Sequence, residues 1–139
     1  MAHGIPLDDA DRWDWLILLR EQSLAALEAG ATGVVLTCSA LKRKYRDVLR
    51  IAAYNDHRVR VHFIYLAVSP ETLFQRVHGR VGHYMKDDMV KSQLASLEVP
   101  RQDETDVLTV DVSGDFANVQ QLALNVVNVV MTKDAEQLA

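Results

Sequence analysis

The chain has 139 residues, of which 49% are hydrophobic and 24% are charged, and its formal net charge at pH 7 is −4. This length and composition are typical of one soluble globular domain, and the net acidity argues against general nucleic-acid binding. No run of 18 apolar residues is present, so the sequence predicts no membrane span. The amino terminus lacks the pattern of a signal peptide, and the single cysteine fits a reducing compartment, so we expect a cytoplasmic protein.

A helical pattern follows a loop that Gly4 and Pro6 mark near the amino terminus. Asp8 or Asp9 can cap the helix. Its predicted core face is formed by apolar residues at helical spacing: Trp13, Leu16, Ile17, Leu24 and Leu27. Gly30 or Gly33 is predicted to end it. An arginine in the first helical turn, such as Arg12, is by itself most often a surface residue.

Residues 33–50 change from a strand pattern to an amphipathic helix pattern. Residues 34–36 are an apolar run that predicts a strand, and Ser39 stands at its end. The predicted helix that follows has two different faces. Its apolar face comprises Leu41, Tyr45, Val48, Leu49 and Ala52, and its basic face comprises Lys42, Arg43, Arg46 and Arg50. By helical geometry Lys44 points about 160° away from Lys42.

This arrangement is compatible with two interpretations. Ligands bind outside the carboxyl ends of strands in open α/β sheets, and a helix amino terminus there favours an anion. Ser39 and Lys42, in the predicted first turn, would then form an anion-binding corner. A capped helix with a solvated basic face explains the same spacing equally well.

The next elements are predicted from apolar alternation and turn residues. Residues 59–68 alternate with both sets largely apolar, which predicts a parallel strand buried on both faces, with His62 in a structural role. Ser69 and Pro70 then predict a helix start.

Two further helices would flank a glycine-bearing turn, and the second is predicted at residues 86–97. Arg76 and Arg80 share one face of the first helix, and the shape suits a lid over phosphates. A solvated helical hairpin is the structural alternative.

A third strand is predicted at residues 107–112, and Ser113 or Asp115 can cap the last helix. The core stripe of that helix is predicted to comprise Phe116, Val119, Ala123, Val126, Val127 and Val130. Residues 132–139 are a polar tail that we expect to fray.

Four sequence blocks resemble those of the ATP-dependent gluconokinases, P-loop kinases that phosphorylate D-gluconate to 6-phosphogluconate. Residues 38–50 resemble the signature CSALK-x-x-YRD-x-LR, and residues 4–16 resemble GxPLxDxDRxPWL with Asp14 in place of proline. Residues 76–100 resemble the lid and its SQ-x-x-x-LE-x-P return, with Tyr84 and Lys86 replacing Phe and Pro. The block DETDVL begins at Asp103, in a region that the resemblance places beside the adenine.

The resemblance implies the roles of the site residues. Gluconate or phosphate would be bound by Asp11, Arg12, Ser39, Lys42 and His83, with Arg12 orienting gluconate. Catalytic charge stabilisation would come from Lys42, Arg76 and Arg80, and the two arginines would also bind the nucleotide. The implied cofactors are ATP and Mg²⁺, and no metal ligand is assigned within these residues.

No GxxxxGK[ST] motif, the loop that cradles phosphates in this family, occurs in the 139 residues. The implied fold class is therefore α/β, a P-loop kinase-like parallel sheet with flanking helices and a helical lid at about residues 76–100. It is incomplete, because the first two strands and the phosphate loop are absent. We expect residues 1–139 to form one partial domain, truncated at the amino end and without activity alone.

In the family's strand order, 2-3-1-4-5, the three predicted strands correspond to the third, fourth and fifth. The expected partners are gluconate and ATP, with neither nucleic acid nor membrane, and a homodimer is compatible with the resemblance. The alternative is a non-catalytic relative, or a fragment that associates with a full-length subunit.

Overall fold

The computed structural model describes residues 9–78 and 86–138. Its elements are α1 (Asp9–Glu28), α2 (Arg43–Asn55), β1 (Phe63–Ala67), α3 (Pro70–His78), α4 (Lys86–Ser96), β2 (Val107–Asp111) and α5 (Phe116–Leu138). The described residues divide into two compact units. The first unit comprises the described residues of Met1–Val61 and Lys91–Val99, and the second unit comprises those of His62–Val90 and Pro100–Ala139. Among the helices described, none is long and apolar enough to cross a membrane.

Helix α1 ends at the glycine that the sequence predicts. Gly30 has a positive φ of 109°, its N–H donates to the Leu27 carbonyl at 3.1 Å, and the Ala31 N–H donates to the Ala26 carbonyl at 3.1 Å. This pair of bonds is the Schellman motif, which needs a left-handed residue where glycine has no Cβ penalty. Gly30 therefore closes α1.

The core of the first unit lies between α1 and α2. The predicted apolar face of α2 is confirmed, since Tyr45, Val48, Leu49 and Ala52 are all buried. From α1, Leu16 is buried at 3% exposure, whereas Trp13, which is predicted to lie in the core, is 39% exposed. Two packed helices bury only a narrow stripe of each other's surface. The apolar face predicted for α1 is therefore wider than the stripe of α1 that is buried.

Residues 34–36 do not form the predicted strand. They have no regular secondary structure, and Val35 is 92% exposed. A strand is held by hydrogen bonds to a neighbouring strand, and the sheet formed by the described residues joins β1 only to β2. An apolar pattern alone therefore does not form a strand when no neighbouring strand pairs with it.

Strands β1 and β2 pair in parallel, in a register that runs from Phe63 opposite Val107 to Ala67 opposite Asp111. This confirms that the other two predicted strands exist, although β1 begins at Phe63 and not at residue 59, and it fits the adjacency of the fourth and fifth strands. The expectation that β1 is buried on both faces is wrong, because Leu66 is 55% exposed. Helix α5 packs on β2, and this narrow sheet leaves Leu66 in contact with solvent.

The start signals of α3 and α5 are both confirmed. The Ser69 hydroxyl accepts the Thr72 N–H at 3.2 Å, and Pro70 is the first residue of α3. The Asp115 carboxylate accepts the Asn118 N–H at 2.8 Å. In each case a side-chain oxygen satisfies one of the N–H groups that a helix start leaves without a partner.

Helix α5 is longer and more exposed than its sequence predicts. It continues to Leu138. Within the predicted tail, the carboxylate of Asp134 contacts His62 Nε2 at 2.9 Å, which ties this part of the helix to the residue before β1. Phe116 and Val127 are exposed. The half-buried members of the predicted stripe are Val119, Ala123, Val126 and Val130.

Candidate functional site

The segment that precedes α2 carries two of the predicted ligand residues, Ser39 and Lys42. Helix α2 begins at Arg43, and Lys42 is its N-cap residue with extended backbone angles (φ −106°, ψ 150°). The prediction that Ser39 and Lys42 lie in the first helical turn is therefore wrong. The Leu41 carbonyl accepts the Glu98 N–H at 2.7 Å, so this carbonyl is engaged outside the helix.

The amino terminus of α2 does contact an anion, and it belongs to the chain itself. The Arg43 N–H donates to the Glu98 carboxylate at 3.0 Å. A carboxylate is favourable at this end of a helix because the N–H groups and the helix dipole both present positive charge. The predicted anion-binding corner is thus partly filled by Glu98.

Arg46 is buried, at 3% exposure, although its spacing predicts a solvated position. Its guanidinium donates to the carbonyl oxygens of Ala40 at 3.0 Å, Leu41 at 3.3 Å and Glu98 at 3.1 Å. These bonds compensate for the desolvation of the charge. Helical spacing missed Arg46 because one of its partners is 52 residues away; its place in the matched YRD block was the available signal.

Three cations surround the ring of Tyr45, which is 2% exposed. The distances to the ring centroid are 5.8 Å from Arg12 Cζ, 5.9 Å from Lys42 Nζ and 5.7 Å from Lys44 Nζ. Lys44 does not point away from Lys42 as predicted, because Lys42 precedes the helix and helical geometry does not apply to it. Arg12 and Lys42, from two matched blocks distant in sequence, are therefore brought to one ring.

Cation–π contacts of this kind are worth about 0.5–2 kcal/mol each, and a concentration of positive charge attracts anionic ligands. Asp11 lies exposed in the first turn of α1, one residue before Arg12, and Ser39 is exposed between α1 and α2. The first unit thus holds four of the predicted substrate-binding residues, of which Arg12 and Lys42 share a contact.

In the second unit, Arg76 lies at the carboxyl end of the sheet. Its guanidinium donates to the Gly114 carbonyl at 3.0 Å. Hydrogen bonds from Ser113, with the charge of Arg76 as a smaller cause, hold the pKa of Asp111 below its ordinary value. Asp111 is the last residue of β2, and ligands of parallel sheets bind at this end of the strands.

The other lid residues have different outcomes. Arg80 and His83 lie outside the described residues, as do Gly82 and Tyr84, so their predicted roles remain predictions. Helix α4, Lys86–Ser96, agrees with the predicted second lid helix.

The DETDVL block forms the turn that leads into β2. The Glu104 N–H donates to the Arg101 carbonyl at 3.0 Å, and the Val107 N–H donates to the Glu104 carbonyl at 3.2 Å. Glu104 is 6% exposed. This turn is at the amino end of β2, opposite to the end at which ligands of parallel sheets bind, and the expected position of the block beside the adenine remains a prediction.

Comparisons with known proteins agree with the four matched blocks. The chain is 45% identical over 138 residues to a probable gluconokinase of Schizosaccharomyces pombe, covering 98% of this chain and 70% of that protein. It is 40% identical over 121 residues to the thermosensitive gluconokinase of Escherichia coli, covering 87% of this chain and 62% of that protein. No protein-family model matches.

The solved structures give the same result for the fold. The crystal structure of a gluconokinase from Sinorhizobium meliloti matches with a TM-score of 0.80 and 37% sequence identity, over 99% of this chain and 73% of that one. The parallel strands and flanking helices thus have the P-loop kinase fold. The chain spans 62–70% of the length of the two relatives described. Identity at this level over nearly every residue shows that the chain belongs to the gluconokinase family.

Proposed function

We propose that this chain carries the gluconate-handling part of an ATP-dependent gluconokinase, which transfers the γ-phosphoryl group of ATP to a hydroxyl of D-gluconate and gives 6-phospho-D-gluconate. The observation that carries this proposal is the approach of Arg12 and Lys42 to the Tyr45 ring. Arg12 and Lys42 are two of the three cations at this buried ring, with Lys44 as the third, and such a concentration of positive charge suits a small anionic substrate. Membership of the gluconokinase family identifies gluconate as that substrate.

The two cations have different chemistry. The planar guanidinium of Arg12 can bind the gluconate carboxylate through two parallel hydrogen bonds and so orient the sugar acid. The ammonium group of Lys42 is a compact charge that can stabilise the oxygen receiving the phosphoryl group. Asp11 and Ser39, both exposed in the same unit, offer oxygen atoms to the sugar hydroxyls.

Arg76 is assigned to the nucleotide. The Gly114 carbonyl holds its guanidinium at the carboxyl end of the sheet, where it can compensate phosphoryl charge. Arg80 is assigned to the nucleotide with Arg76, and His83 is assigned to the substrate, each on its matched motif alone. A cytoplasmic location and a homodimer are further parts of the proposal that rest on the sequence.

ATP with Mg²⁺ supplies the transferred phosphoryl group when bound. The residues that the structure describes contain no group of three or more His, Cys, Asp or Glu side chains that could hold a metal ion. The GxxxxGK[ST] loop is also not among the 139 residues. In this family the Ser or Thr of that loop binds Mg²⁺, so the residues present do not supply the family's magnesium site.

A second candidate function is a non-catalytic member of the family that associates with a complete subunit. The same missing motif favours it, because the GxxxxGK[ST] loop that cradles the phosphates of ATP is not among these 139 residues. This candidate predicts gluconate binding without phosphoryl transfer.

The proposal is tested by calorimetric titration of the 139-residue chain with D-gluconate, with shikimate as the competing substrate. We expect saturable binding of gluconate and none of shikimate. Arg12→Ala should weaken gluconate binding about tenfold, since one charge-assisted carboxylate contact is lost. Arg101→Ala, an exposed arginine of the second unit, is the matched control. Equal effects of the two substitutions would refute the assignment of Arg12.

A further inference from the structure

The segment of residues 39–42 is fixed at its centre by hydrogen bonds that are not part of the backbone ladder of α2. The carbonyl oxygens of Ala40 and Leu41 both accept hydrogen bonds from the buried guanidinium of Arg46, at 3.0 and 3.3 Å. The Leu41 carbonyl also accepts the Glu98 N–H at 2.7 Å. The Leu41 carbonyl is therefore held by two donors, and the Ala40 carbonyl is held by the guanidinium of Arg46.

Glu98 is the second half of this connection, and each of its polar groups takes part. Its N–H bonds to the Leu41 carbonyl, its carbonyl accepts the Arg46 guanidinium at 3.1 Å, and its carboxylate accepts the Arg43 N–H at 3.0 Å. Arg46 and Glu98 thus join the start of α2 to a chain segment that is remote in sequence.

We propose that Arg46 and Glu98 are positioning residues for the substrate site. By fixing the backbone of residues 40–43 they hold the Lys42 side chain beside Arg12 over the Tyr45 ring. Neither residue is assigned a contact with gluconate. The inference rests on the proposed function, because Lys42 matters to a ligand only if this site binds one.

The physical basis of the proposal is pre-organisation. A lysine side chain has a flexible four-carbon stem, and it loses conformational freedom when a ligand fixes it. A backbone that already points this side chain toward the ring reduces the loss, and a neighbouring residue that fixes the backbone supports the site. Loosening the 40–41 carbonyls should therefore weaken ligand binding without removing any ligand contact.

A merely structural role for Arg46 makes a different prediction, and Arg20 provides the comparison. The side chain of Arg20 is 15% exposed, and its guanidinium donates to the Val48 carbonyl at 3.0 Å, within the packing of α1 on α2. It is a largely buried arginine bonded to a backbone carbonyl, but that carbonyl belongs to Val48 and not to residues 40–43. Replacement of Arg20 should therefore lower the stability of the fold and leave ligand binding unchanged.

The test compares Arg46→Lys, Glu98→Gln and the control Arg20→Lys in the 139-residue chain. Gluconate affinity is measured by calorimetry and amide hydrogen exchange by NMR, with circular dichroism to show that each variant is folded. Arg46→Lys should raise the gluconate Kd about tenfold, or about 1.4 kcal/mol, and accelerate exchange of the Glu98 N–H. Glu98→Gln, which keeps the backbone bonds and so preserves the fold, should raise Kd by a smaller factor of about three.

Arg20→Lys should change Kd by less than about twofold. The inference is overturned if Arg46→Lys leaves both the Glu98 exchange rate and the gluconate Kd unchanged, or if Arg20→Lys raises Kd as much as Arg46→Lys does. If the unmodified chain does not bind gluconate, the proposed function fails. In that case the exchange rate of the Glu98 N–H still decides whether Arg46 fixes the segment.

Discussion

Replacement of Arg46 by methionine should destabilise the chain by about 2–4 kcal/mol. Arg46 is 3% exposed, and it donates two hydrogen bonds of 3.0–3.1 Å and one longer bond of 3.3 Å to backbone carbonyls. Bonds to a charged group contribute about 1.5–3 kcal/mol each. Burial of the charge offsets several kcal/mol of this sum, and methionine fills much of the volume. The remaining cost is the loss of one hydrogen bond at each of three carbonyl groups, of which the Leu41 carbonyl keeps the Glu98 N–H as a donor.

The matched control is Arg50→Met, one turn later on the same helix. Arg50 forms an ion pair with Asp47 at 2.8 Å, in which the two side chains are 21% and 58% exposed. Exposed pairs at this helical spacing contribute about 0.3–0.5 kcal/mol. Within α2, the same substitution should therefore have a several-fold smaller effect on stability.

The assay is urea unfolding followed by far-ultraviolet circular dichroism. With a denaturant slope of about 1–3 kcal/mol per molar urea, Arg46→Met should lower the midpoint by about 1–2 M, and Arg50→Met should lower it by no more than about 0.5 M. Midpoints that shift equally would show that the three carbonyl bonds of Arg46 contribute no more than a surface ion pair. The account of Arg46 would then be incorrect.

Three further predictions concern other residues. Lys42→Ala should weaken gluconate binding about tenfold in a calorimetric titration, whereas Lys91→Ala, an exposed lysine of α4, should not. Gly30→Ala should lower the thermal midpoint by an amount corresponding to about 1 kcal/mol, because φ is 109° there. Gly33→Ala, without a positive φ, should be neutral, and equal losses would contradict the strain argument. The side-chain hydrogen bond from the guanidinium of Arg58 lowers the pKa of Asp56 from 3.8 to about 2. Its contribution to stability is therefore present above pH 3.8 and lost as the pH falls through 2, so Asp56→Asn should lose less stability than the unmodified chain between pH 5 and 2. Identical losses would show that this carboxylate is not coupled to folding.

Local signals in the sequence predicted most of the fold. Gly30, Ser69 and Asp115 each end or start a helix through hydrogen bonds within five residues of the chain. The apolar face of α2 was also readable, because helical spacing alone determines which of its residues lie together. Such features need no knowledge of distant partners, and the structure confirms them.

The failures of prediction each depend on a partner distant in sequence. Residues 34–36 have the pattern of a strand but no ladder in the described sheet. Arg46 is buried because Glu98 accepts its hydrogen bond from 52 residues away, and α5 continues past its predicted end where Asp134 meets His62. Spacing within one segment contains no information about such contacts.

The candidate site was predicted in part for the same reason. Matched blocks identified Arg12 and Lys42 as residues of interest, and the structure brings both to the Tyr45 ring. The contribution of Tyr45 itself was not predicted, since an apolar helix face explains a buried tyrosine equally well. The bonds of Arg46 and Glu98 to the neighbouring segment were not predicted, because they join residues that are 52 positions apart in the sequence.

The most direct test of the account is phosphoryl transfer by a hybrid in which an amino-terminal segment that carries the GxxxxGK[ST] motif precedes residue 1. ATP labelled at the γ-phosphoryl group is supplied with D-gluconate, shikimate or AMP, and the labelled product is identified by mass spectrometry. The 139-residue chain alone is the control, and we expect no turnover from it because its residues include no phosphate loop. The account predicts that the hybrid transfers label to gluconate in preference to the other two acceptors. Equal or faster transfer to shikimate or AMP by a hybrid that binds ATP would contradict it.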